Sequence, residues 1–462
     1  MTAPSRPVPR QVMEPARAID VVHETDVLVV GSGPGGLGAA IGAARAGART
    51  TLLERYGCFG GNLTAVGVES FAWYRHEQTV DSVGVGAEIE ARAKAEGATS
   101  PESQSLSAAF DAERFKVVAD KLVEEHGIRP MLHRTFVAPI VEDGVVRGII
   151  TESKSGREAI LAQRVVDATG DADIAYRAGA PCRIADPEQR LSVSVAFSMT
   201  GVDKRAFLAA VAEDSPKYRD WAGNHEWDIR TDGKEDDMFS PFLRKPFKRA
   251  VEAGIIPPQF VTMAGTYGTV HDNGDLTYLN LVHMDGYDGT SADDLSRGEI
   301  EGRRQAMAAI EALRAFMPGC ETARLRNFGM TLGLRETRKI DARYNLTEAD
   351  VREQARFDDS VGIFPEFIDG YGVLVLPTTG RYFHVPFGSL VPKGVSNLLV
   401  AGRAIGGDNI SHAAVRSMMC CTVAGQGAGV AAAVSIRDGV ASEDVSVGAL
   451  RGELVRQGVR LD

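Results

Sequence analysis

The first patterned segment of the chain joins a short apolar run, a glycine-rich turn and a helix of small residues. Residues 26–30 form a β-branched run of the buried-strand type. The turn at residues 31–36 leads into an alanine-rich stretch, 34–46, which predicts a helix. Residues 50–53 predict a second strand, and Glu54 closes it. The pattern indicates a strand–turn–helix–strand unit with an acid at its end.

The turn satisfies the spacing G-x-G-x-x-G, and each glycine of that motif has a physical role. Gly31 permits the tight turn, Gly33 lets a pyrophosphate approach the backbone, and Gly36 lets helix and strand pack closely. The helix begins at Pro34 and presents free N–H groups to the phosphates. Glu54 stands 23 residues after Gly31, where a carboxylate accepts from ribose hydroxyls. These features together predict a dinucleotide-binding unit.

The middle of the chain shows different periodicities. Residues 192–198 alternate as a half-buried strand does, and residues 267–270 and 276–282 read as an extended pair. Residues 292–316 predict a charged helix. The polar and aromatic stretch 217–248 is interpreted as a mobile loop, a lid helix or a dimer contact. After Asp438, charges alternate with single apolar residues, which predicts a terminal helix.

Composition narrows the class of protein. A chain of 462 residues with 44% hydrophobic residues predicts two connected domains with a large core. A net charge of −11 disfavours nucleic acid as a partner, and the lack of an 18-residue apolar run disfavours a membrane span. The first 20 residues lack the apolar core of a secretory signal and read as a flexible arm. Five cysteines without a C-x-x-C pair indicate reduced thiols in the cytoplasm and no metal site.

A second glycine pair, Gly60-Gly61, follows Glu54 and leads to the family resemblance. With it, the chain from about residue 26 to 433 resembles FAD-dependent oxidoreductases with a glutathione-reductase-type fold. Their relatives include fumarate reductase flavoprotein subunits and GidA-type tRNA-modifying flavoproteins. Four further segments carry the resemblance: 164–173, 333–340, 397–403 and 416–429.

The resemblance implies an α/β fold: a Rossmann-like FAD-binding domain with a β-meander insertion, plus an α+β substrate domain. Hairpin dipeptides at Asp143-Gly144 and Ser155-Gly156 match the meander. The expected division is an N-terminal arm (1–24), the first part of the FAD-binding domain (25–190), a substrate or cap domain (191–384), the return to the FAD-binding domain (385–440) and a C-terminal tail helix (441–462).

FAD is the cofactor that the resemblance implies. The resemblance also implies which residues of this chain lie along FAD. The last helix of the family points its N-terminus at the flavin, where a helix dipole stabilises the negative charge of the reduced ring. The expected FAD-binding residues are Gly31, Gly33, Pro34, Gly36, Glu54, Arg55, Gly60, Gly61, Asn62, Thr64, Val137, Ala168, Thr169, Gly170, Asp173, Gly402 and Arg403.

The same placement gives the candidate catalytic residues His412, His384, Arg416 and Arg335. His412 precedes the final helix, four residues before Arg416, and His384 lies where the chain returns to the FAD-binding domain. Either histidine could instead be structural. Arg335 could clamp a substrate carboxylate, or could belong to an interdomain ion-pair set with Glu336 and Asp341.

The expected activity is that of an FAD-dependent dehydrogenase or oxidase. Hydride would pass from a small organic substrate, at a C–H bond next to a heteroatom, to flavin N5. No second dinucleotide unit is visible for NAD(P)H, which favours O2 or a separate electron-carrier protein as the acceptor. A C=C reductase of the fumarate reductase type, with an arginine as proton donor, is the alternative. A tRNA-modifying flavoprotein fits the acidic chain less well, an electron-transfer subunit would lack a closed substrate cavity, and a homo-oligomer is left open.

Overall fold

A computed structural model describes residues 11–71, 74, 81–102, 107–213, 242–377 and 380–462, and the backbone of residues 228–229. The strands are β1 (Val21–Val30), β2 (Thr50–Leu53), β3 (Thr99–Pro101), β4 (Ala108–Phe110), β5 (Arg129–Met131), β6 (Thr135–Glu142), β7 (Val145–Ser153), β8 (Gly156–Asp167), β9 (Cys182–Arg183), β10 (Val193–Thr200), β11 (Asp228–Ile229), β12 (Leu276–Met284), β13 (Arg324–Phe328), β14 (Lys339–Ile340), β15 (Ser360–Pro365), β16 (Ile368–Gly370), β17 (Val373–Val375), β18 (Tyr382–Pro386) and β19 (Leu398–Val400). The helices are α1 (Pro34–Arg45), α2 (Val85–Ala95), α3 (Ala112–Glu125), α4 (Asp173–Arg177), α5 (Lys204–Glu213), α6 (Lys245–Glu252), α7 (Ala292–Phe316), α8 (Glu348–Arg352), α9 (Asn409–Val415), α10 (Met418–Arg437) and α11 (Val447–Arg456).

The main sheet has seven strands and is parallel in its centre. Its order is β5-β2-β1-β8-β7-β6, and β19 pairs with β8 as well. Strands β5, β2, β1, β8 and β19 run parallel, whereas β6 and β7 form the antiparallel meander. The long strand β8 pairs with β7 through its first half and with β19 near its end, at residues 165–167. The expected α/β fold with a meander insertion is confirmed.

Helices α1 and α10 pack at backbone distance because small residues meet at their contact. A Cβ atom built on Gly425 would lie 2.0 Å from the carbonyl oxygen of Gly35. One built on Gly429 would lie 1.9 Å from the carbonyl oxygen of Ala39. Helix α10 passes a length and hydropathy test for a membrane span, but 94% of its most apolar window is buried inside the protein. It is a core helix of this fold.

A second core lies above the first and is built from residues between Val193 and Leu334. It joins the sheet β12-β10-β13 to helices α6 and α7. The buried residues from Leu346 to Val385 pack into the first core, together with α1 and α10, and not into the second. In packing, the chain therefore returns to the first core about 40 positions before residue 385. The predicted domain bounds stay a prediction.

Several element predictions are confirmed. Helix α7 has the predicted bounds, and the Ser291 side chain accepts from Asp294 N at its start. The two hairpins turn where expected, and the terminal helix is α11. The segment 83–86 leads into α2, which begins at Val85. Most of the aromatic stretch 217–248 lies outside the described residues, and its last part is α6.

Candidate active site

A cleft runs along the carboxyl ends of the parallel strands β1, β2, β8 and β19. It encloses about 1150 Å³ of empty space, counted out to its open mouth. Ligands bind at this edge in open α/β sheets. The predicted residues that line it are Gly31, Gly33, Pro34, Glu54, Arg55, Gly61, Asn62, Ala168, Thr169, Gly170, Asp173, Gly402 and Arg403.

The three glycines of the first loop differ in what surrounds them. A Cβ on Gly31, where φ is +98°, would lie 2.3 Å from the carbonyl oxygen of Ala168. A Cβ on Gly36 would lie 1.8 Å from the carbonyl oxygen of Gly31. A Cβ on Gly33 would meet no protein atom within 4 Å. Gly31 and Gly36 therefore permit the turn and its packing, whereas Gly33 faces the cleft.

Glu54 is fixed at the rim of the cleft by three donors. Its Oε2 accepts from Ser32 N at 2.9 Å and from Ser32 Oγ at 2.7 Å, and its Oε1 accepts from Tyr56 N at 3.1 Å. The side chain is 6% exposed. Each carboxylate oxygen has two lone pairs, so Oε1 retains acceptor capacity for a ribose hydroxyl.

Two buried arginine donors at the far end of the cleft lack a protein partner. Arg403 Nη2 pairs with Asp171 at 2.6 Å, but Arg403 Nε has no acceptor among the described residues. Arg416 pairs with Asp369 through Nη2, and its Nε likewise lacks an acceptor in the described part of the chain. Buried donors of this kind are normally satisfied. The open Gly33, the fixed Glu54 and these donors fit an elongated anionic dinucleotide such as FAD.

The N-terminus of α10 also faces this end, because Met418 and Cys421 line the cleft. Its free N–H groups and dipole are placed as the resemblance implies. Thr331, Leu332 and Leu334 also line the cleft, and the sequence did not indicate them as cofactor-binding residues. Leu334 lies within the 333–340 motif and the other two residues directly precede it, so that motif is the one signal that could have indicated them.

Four predicted FAD-binding residues do not line the cleft: Gly36, Gly60, Thr64 and Val137. Gly36 lies beneath the loop. Thr64 donates its hydroxyl to Phe59 O at 2.7 Å, and a Cβ on Gly60 would meet that hydroxyl at 2.8 Å, so both shape the turn. The carbonyl of Val137 accepts from Arg177. These residues shape the backbone around the cleft without lining it.

His384 lies in β18 against β15, and it is not among the residues lining the cleft. Its Nδ1 accepts from Phe357 N at 3.0 Å. Burial lowers the pKa of the imidazole. This placement favours a structural role for His384 over a role in proton transfer.

His412 is buried in α9, behind the wall of the cleft. It is 1% exposed, and its Nε2 donates to the carbonyl oxygen of Arg335 at 3.1 Å. Burial is the first cause that lowers its pKa well below the ordinary value, and the charges of Lys339 and Arg416 add to it. The imidazole is therefore neutral. His412 is not among the residues that line the cleft, and its hydrogen bond holds the backbone of Arg335.

Arg335 is not among the residues that line the cleft. It is partly exposed and forms, with the neighbouring Asn280 and His283, a group of polar side chains that we call the recess. Its hydrogen-bond partners are uncharged. Nη1 donates to Ser192 O at 2.8 Å and to Ser194 Oγ, and Nη2 donates to Asn280 Oδ1 at 3.2 Å. The predicted ion-pair set with Glu336 and Asp341 is not formed. Glu336 pairs instead with Lys339, and Asp341 pairs with Lys393 at 3.0 Å.

His283, which the sequence did not single out, lies in the same recess. Its Nε2 is 3.2 Å from Asn280 Oδ1 and 3.5 Å from Arg335 Nη2. His283 keeps solvent-accessible surface, but many protein atoms surround its ring. The resulting desolvation, followed by the charge of Arg335, lowers the pKa of His283 to about 3. With the proton assigned to Nε2, which donates to Asn280, Nδ1 keeps its lone pair.

Tyr278 and Asp369 complete the recess. Both act electrostatically on Arg335, and burial raises the pKa of Tyr278 to about 12, so its hydroxyl stays protonated. Tyr278 adopts φ +48° within β12, at a register shift of that strand. A non-glycine residue in this conformation within a strand is uncommon and re-aims its side chain.

Comparison with known proteins agrees with the geometry. A family model described as "FAD dependent oxidoreductase" matches residues 26–454. Soluble pyridine nucleotide transhydrogenase of Serratia proteamaculans is 44% identical over 54 residues, which cover 12% of this chain and 12% of that protein. The same enzyme of Escherichia coli O1:K1 gives the same values. The chain thus spans about an eighth of the length of these curated relatives.

Solved structures with a similar course of the chain are distant in sequence. A geranylgeranyl bacteriochlorophyll reductase-like protein of Thermoplasma acidophilum is 14% identical, with a TM-score of 0.48 over 95% of this chain and 84% of that chain. A p-nitrophenol 4-monooxygenase of Pseudomonas putida is 13% identical, with a TM-score of 0.43 over 94% and 84%. With the family model spanning nearly the whole chain and the cleft fitting its cofactor, this protein belongs to the FAD-dependent oxidoreductase family and uses FAD.

Proposed function

We propose that the enzyme is a dehydrogenase or oxidase that acts on a small organic substrate at a C–H bond next to a heteroatom. The observation that carries this proposal is the grouping of His283 with Asn280 and Arg335, in which His283 Nε2 lies 3.2 Å from Asn280 Oδ1 and 3.5 Å from Arg335 Nη2. Oxidation of an alcohol or amine releases a proton as well as a hydride equivalent, so it needs a base at the reacting atom.

FAD supplies the two-electron acceptor when it is bound. Gly33, Glu54 and the donors of Arg403 would hold it in the cleft. The protein's own part is to orient the substrate and to move one proton. His283 Nδ1 accepts the proton, and Asn280 fixes the ring through Nε2. The Tyr278 hydroxyl, protonated at neutral pH, donates to a substrate oxygen.

The reverse chemistry, reduction of a C=C bond, has one observation in its favour. Burial, followed by the charge of Arg416, lowers the pKa of Arg335, which eases proton donation from its guanidinium. We keep this as the second candidate. A fumarate reductase-like reaction would need the prereduced enzyme to transfer electrons to an alkene.

An anaerobic substrate screen tests the proposal. The oxidised holoenzyme is mixed with a panel of small alcohols and amines, and bleaching of the flavin is followed. We expect at least one compound to bleach it, and His283→Gln to slow that step by about 10²–10⁴-fold. His384→Gln serves as the matched control and should leave the rate unchanged, since His384 lies away from the cleft. Bleaching by no compound, with rapid reoxidation of the prereduced enzyme by an alkene, would replace the proposal with the second candidate.

We further propose O2 or a separate electron-carrier protein as the final acceptor, and the cytoplasm as the compartment. All five cysteines are free thiols, which supports a reducing environment. Turnover in air, compared with turnover with a redox dye under nitrogen, separates an oxidase from a dehydrogenase.

A further inference from the structure

We infer that the substrate carries a single carboxylate and that Arg335 binds it. This inference rests on the proposed function, since it takes the recess beyond the cleft as the place of the substrate.

The acceptors that Arg335 has among the described residues are all neutral. They are the carbonyl oxygen of Ser192, the hydroxyl of Ser194 and the amide oxygen of Asn280. Its hydrogen bonds in the described part of the chain all come from Nη1 and Nη2, so Nε has no protein acceptor there, and the residue is partly exposed. One edge of a fixed, positively charged fork is therefore open toward accessible space.

An uncompensated cation in such a recess is costly. Removing an ion from water is unfavourable, and an oppositely charged partner with good geometry offsets this cost. A carboxylate matches the guanidinium fork with two parallel hydrogen bonds. A bound carboxylate would also cancel the charge that helps to hold down the pKa of His283, so the base would strengthen when substrate is present.

The surrounding charges favour a monoanion over a dianion. Arg416, the nearest second cation, already pairs with Asp369 at 3.1 Å. Asp369 and Asp285 both act on Arg335 and would repel a second negative charge. The recess therefore offers one positive charge to a ligand, which suits a carboxylate and not a phosphate dianion.

A binding titration tests the inference without turnover. The FAD-loaded enzyme is titrated with acetate, propanoate and benzoate, with the matching neutral amides and with inorganic phosphate, and the flavin spectrum is recorded. We expect at least one carboxylate to bind, and the amides and phosphate not to bind. Arg335→Gln should weaken carboxylate binding about 10- to 100-fold, as for a lost charged hydrogen bond. Arg335→Lys should bind with intermediate affinity, because the charge stays but the fork is lost.

The control is Arg303→Gln, on the exposed side of α7, where Arg303 pairs with Glu299 at 2.9 Å. It should bind carboxylates as the parent does. Equal carboxylate affinity in the parent and the Arg335 variants would overturn the inference, as would tighter binding of phosphate. If Arg335→Gln does not fold, the Lys variant decides alone. A compound that bleaches the flavin but carries no carboxylate would overturn this inference and leave the proposed function standing. Arg335-dependent binding without any bleaching would do the opposite.

Discussion

At the level of single residues, the glycines of the phosphate loop separate cofactor binding from folding. Gly33 has an ordinary extended conformation (φ −62°), and a side chain there would meet open cleft. Gly36 has no such room, because its Cβ would overlap the carbonyl oxygen of Gly31. Two neighbouring substitutions should therefore fail in different ways.

Gly33→Val should purify without flavin and keep the melting temperature of the parent apoprotein, since the new side chain enters the pyrophosphate position and its Cβ has no protein atom within 4 Å. Flavin absorbance per protein and a thermal melt are the two measurements. Gly36→Val is the contrast, and it should lose both flavin and stability. Full flavin content in Gly33→Val would show that the phosphates lie elsewhere.

His412→Ala should lower stability by about 2–4 kcal/mol, because it removes a buried ring and leaves the carbonyl of Arg335 without its donor. Denaturant unfolding of the apoprotein measures this. Flavin reduction should slow as well, through displacement of Arg335. A variant of parental stability with a rate lowered 10²-fold or more would instead restore the chemical role that the sequence suggested for His412.

The sequence could indicate those site residues whose neighbours in the chain carry a motif. Glu54 and Gly33 were found because strand, loop and helix fix their spacing. His283 and Asp369 could not be found in this way. Each is one polar residue in or beside a short strand, and only the packing of two cores brings them to Arg335. No local sequence pattern indicates that His283 and Asp369 lie close to Arg335.

Among the elements, α1 and α10 show how a helix pair depends on side chains that are absent. Gly429→Ala should destabilise the protein by about 3 kcal/mol or more, because the methyl group would force the backbones apart. Gly452→Ala, on the exposed face of α11 and with nothing within 4 Å, should stabilise it by about 0.5–1 kcal/mol. Thermal and denaturant unfolding compare the two. Equal effects would mean that helix propensity, and not packing, governs Gly429.

Element prediction succeeded where periodicity was long and failed where pairing partners decide. The bounds of helix α7 were predicted correctly because its 25 residues keep one helical pattern of apolar and charged positions. Strand β1 begins at Val21, five residues before the apolar run at 26–30. Its exposed first half is held by pairing with β8 near residues 159–162, which the sequence of β1 does not encode.

Across the whole molecule, a second cavity lies between the two cores and contains a buried acid, Glu69. The side chain is 7% exposed, and desolvation raises its pKa to about 7, against an ordinary value of 4.5. The folded state therefore holds a proton that the unfolded chain releases between these pH values. This contribution is present in full below pH 4.5 and is lost as the pH rises through 7.

The free energy of unfolding should thus fall by about 3 kcal/mol as the pH rises from 4.5 to 7, because Glu69 loses its proton. Glu69→Gln should flatten the pH profile of the melting temperature in that interval, whereas Glu113→Gln, an exposed partner of Lys116, should leave it unchanged. Parallel profiles for the parent and Glu69→Gln would show that Glu69 titrates normally.

At this scale the sequence indicated the cofactor and the fold class, but not how the chain divides its cores. Residues such as Leu346 and Phe364 read like any apolar positions of the middle segment, yet they pack beside α10. Which core an apolar side chain joins depends on chain crossings that periodicity does not register.

The contact between α1 and α10 also sets the order of events while the protein is being made. Ala39 and Gly429 are about 390 positions apart, so at about 5–20 residues per second α1 leaves the ribosome on the order of 20–80 s before its partner. Gly402, Arg403 and Met418, which close the cleft, are translated equally late. The complete FAD cleft can therefore form only when the chain is nearly finished, and until then α1 lacks the helix that covers its small residues.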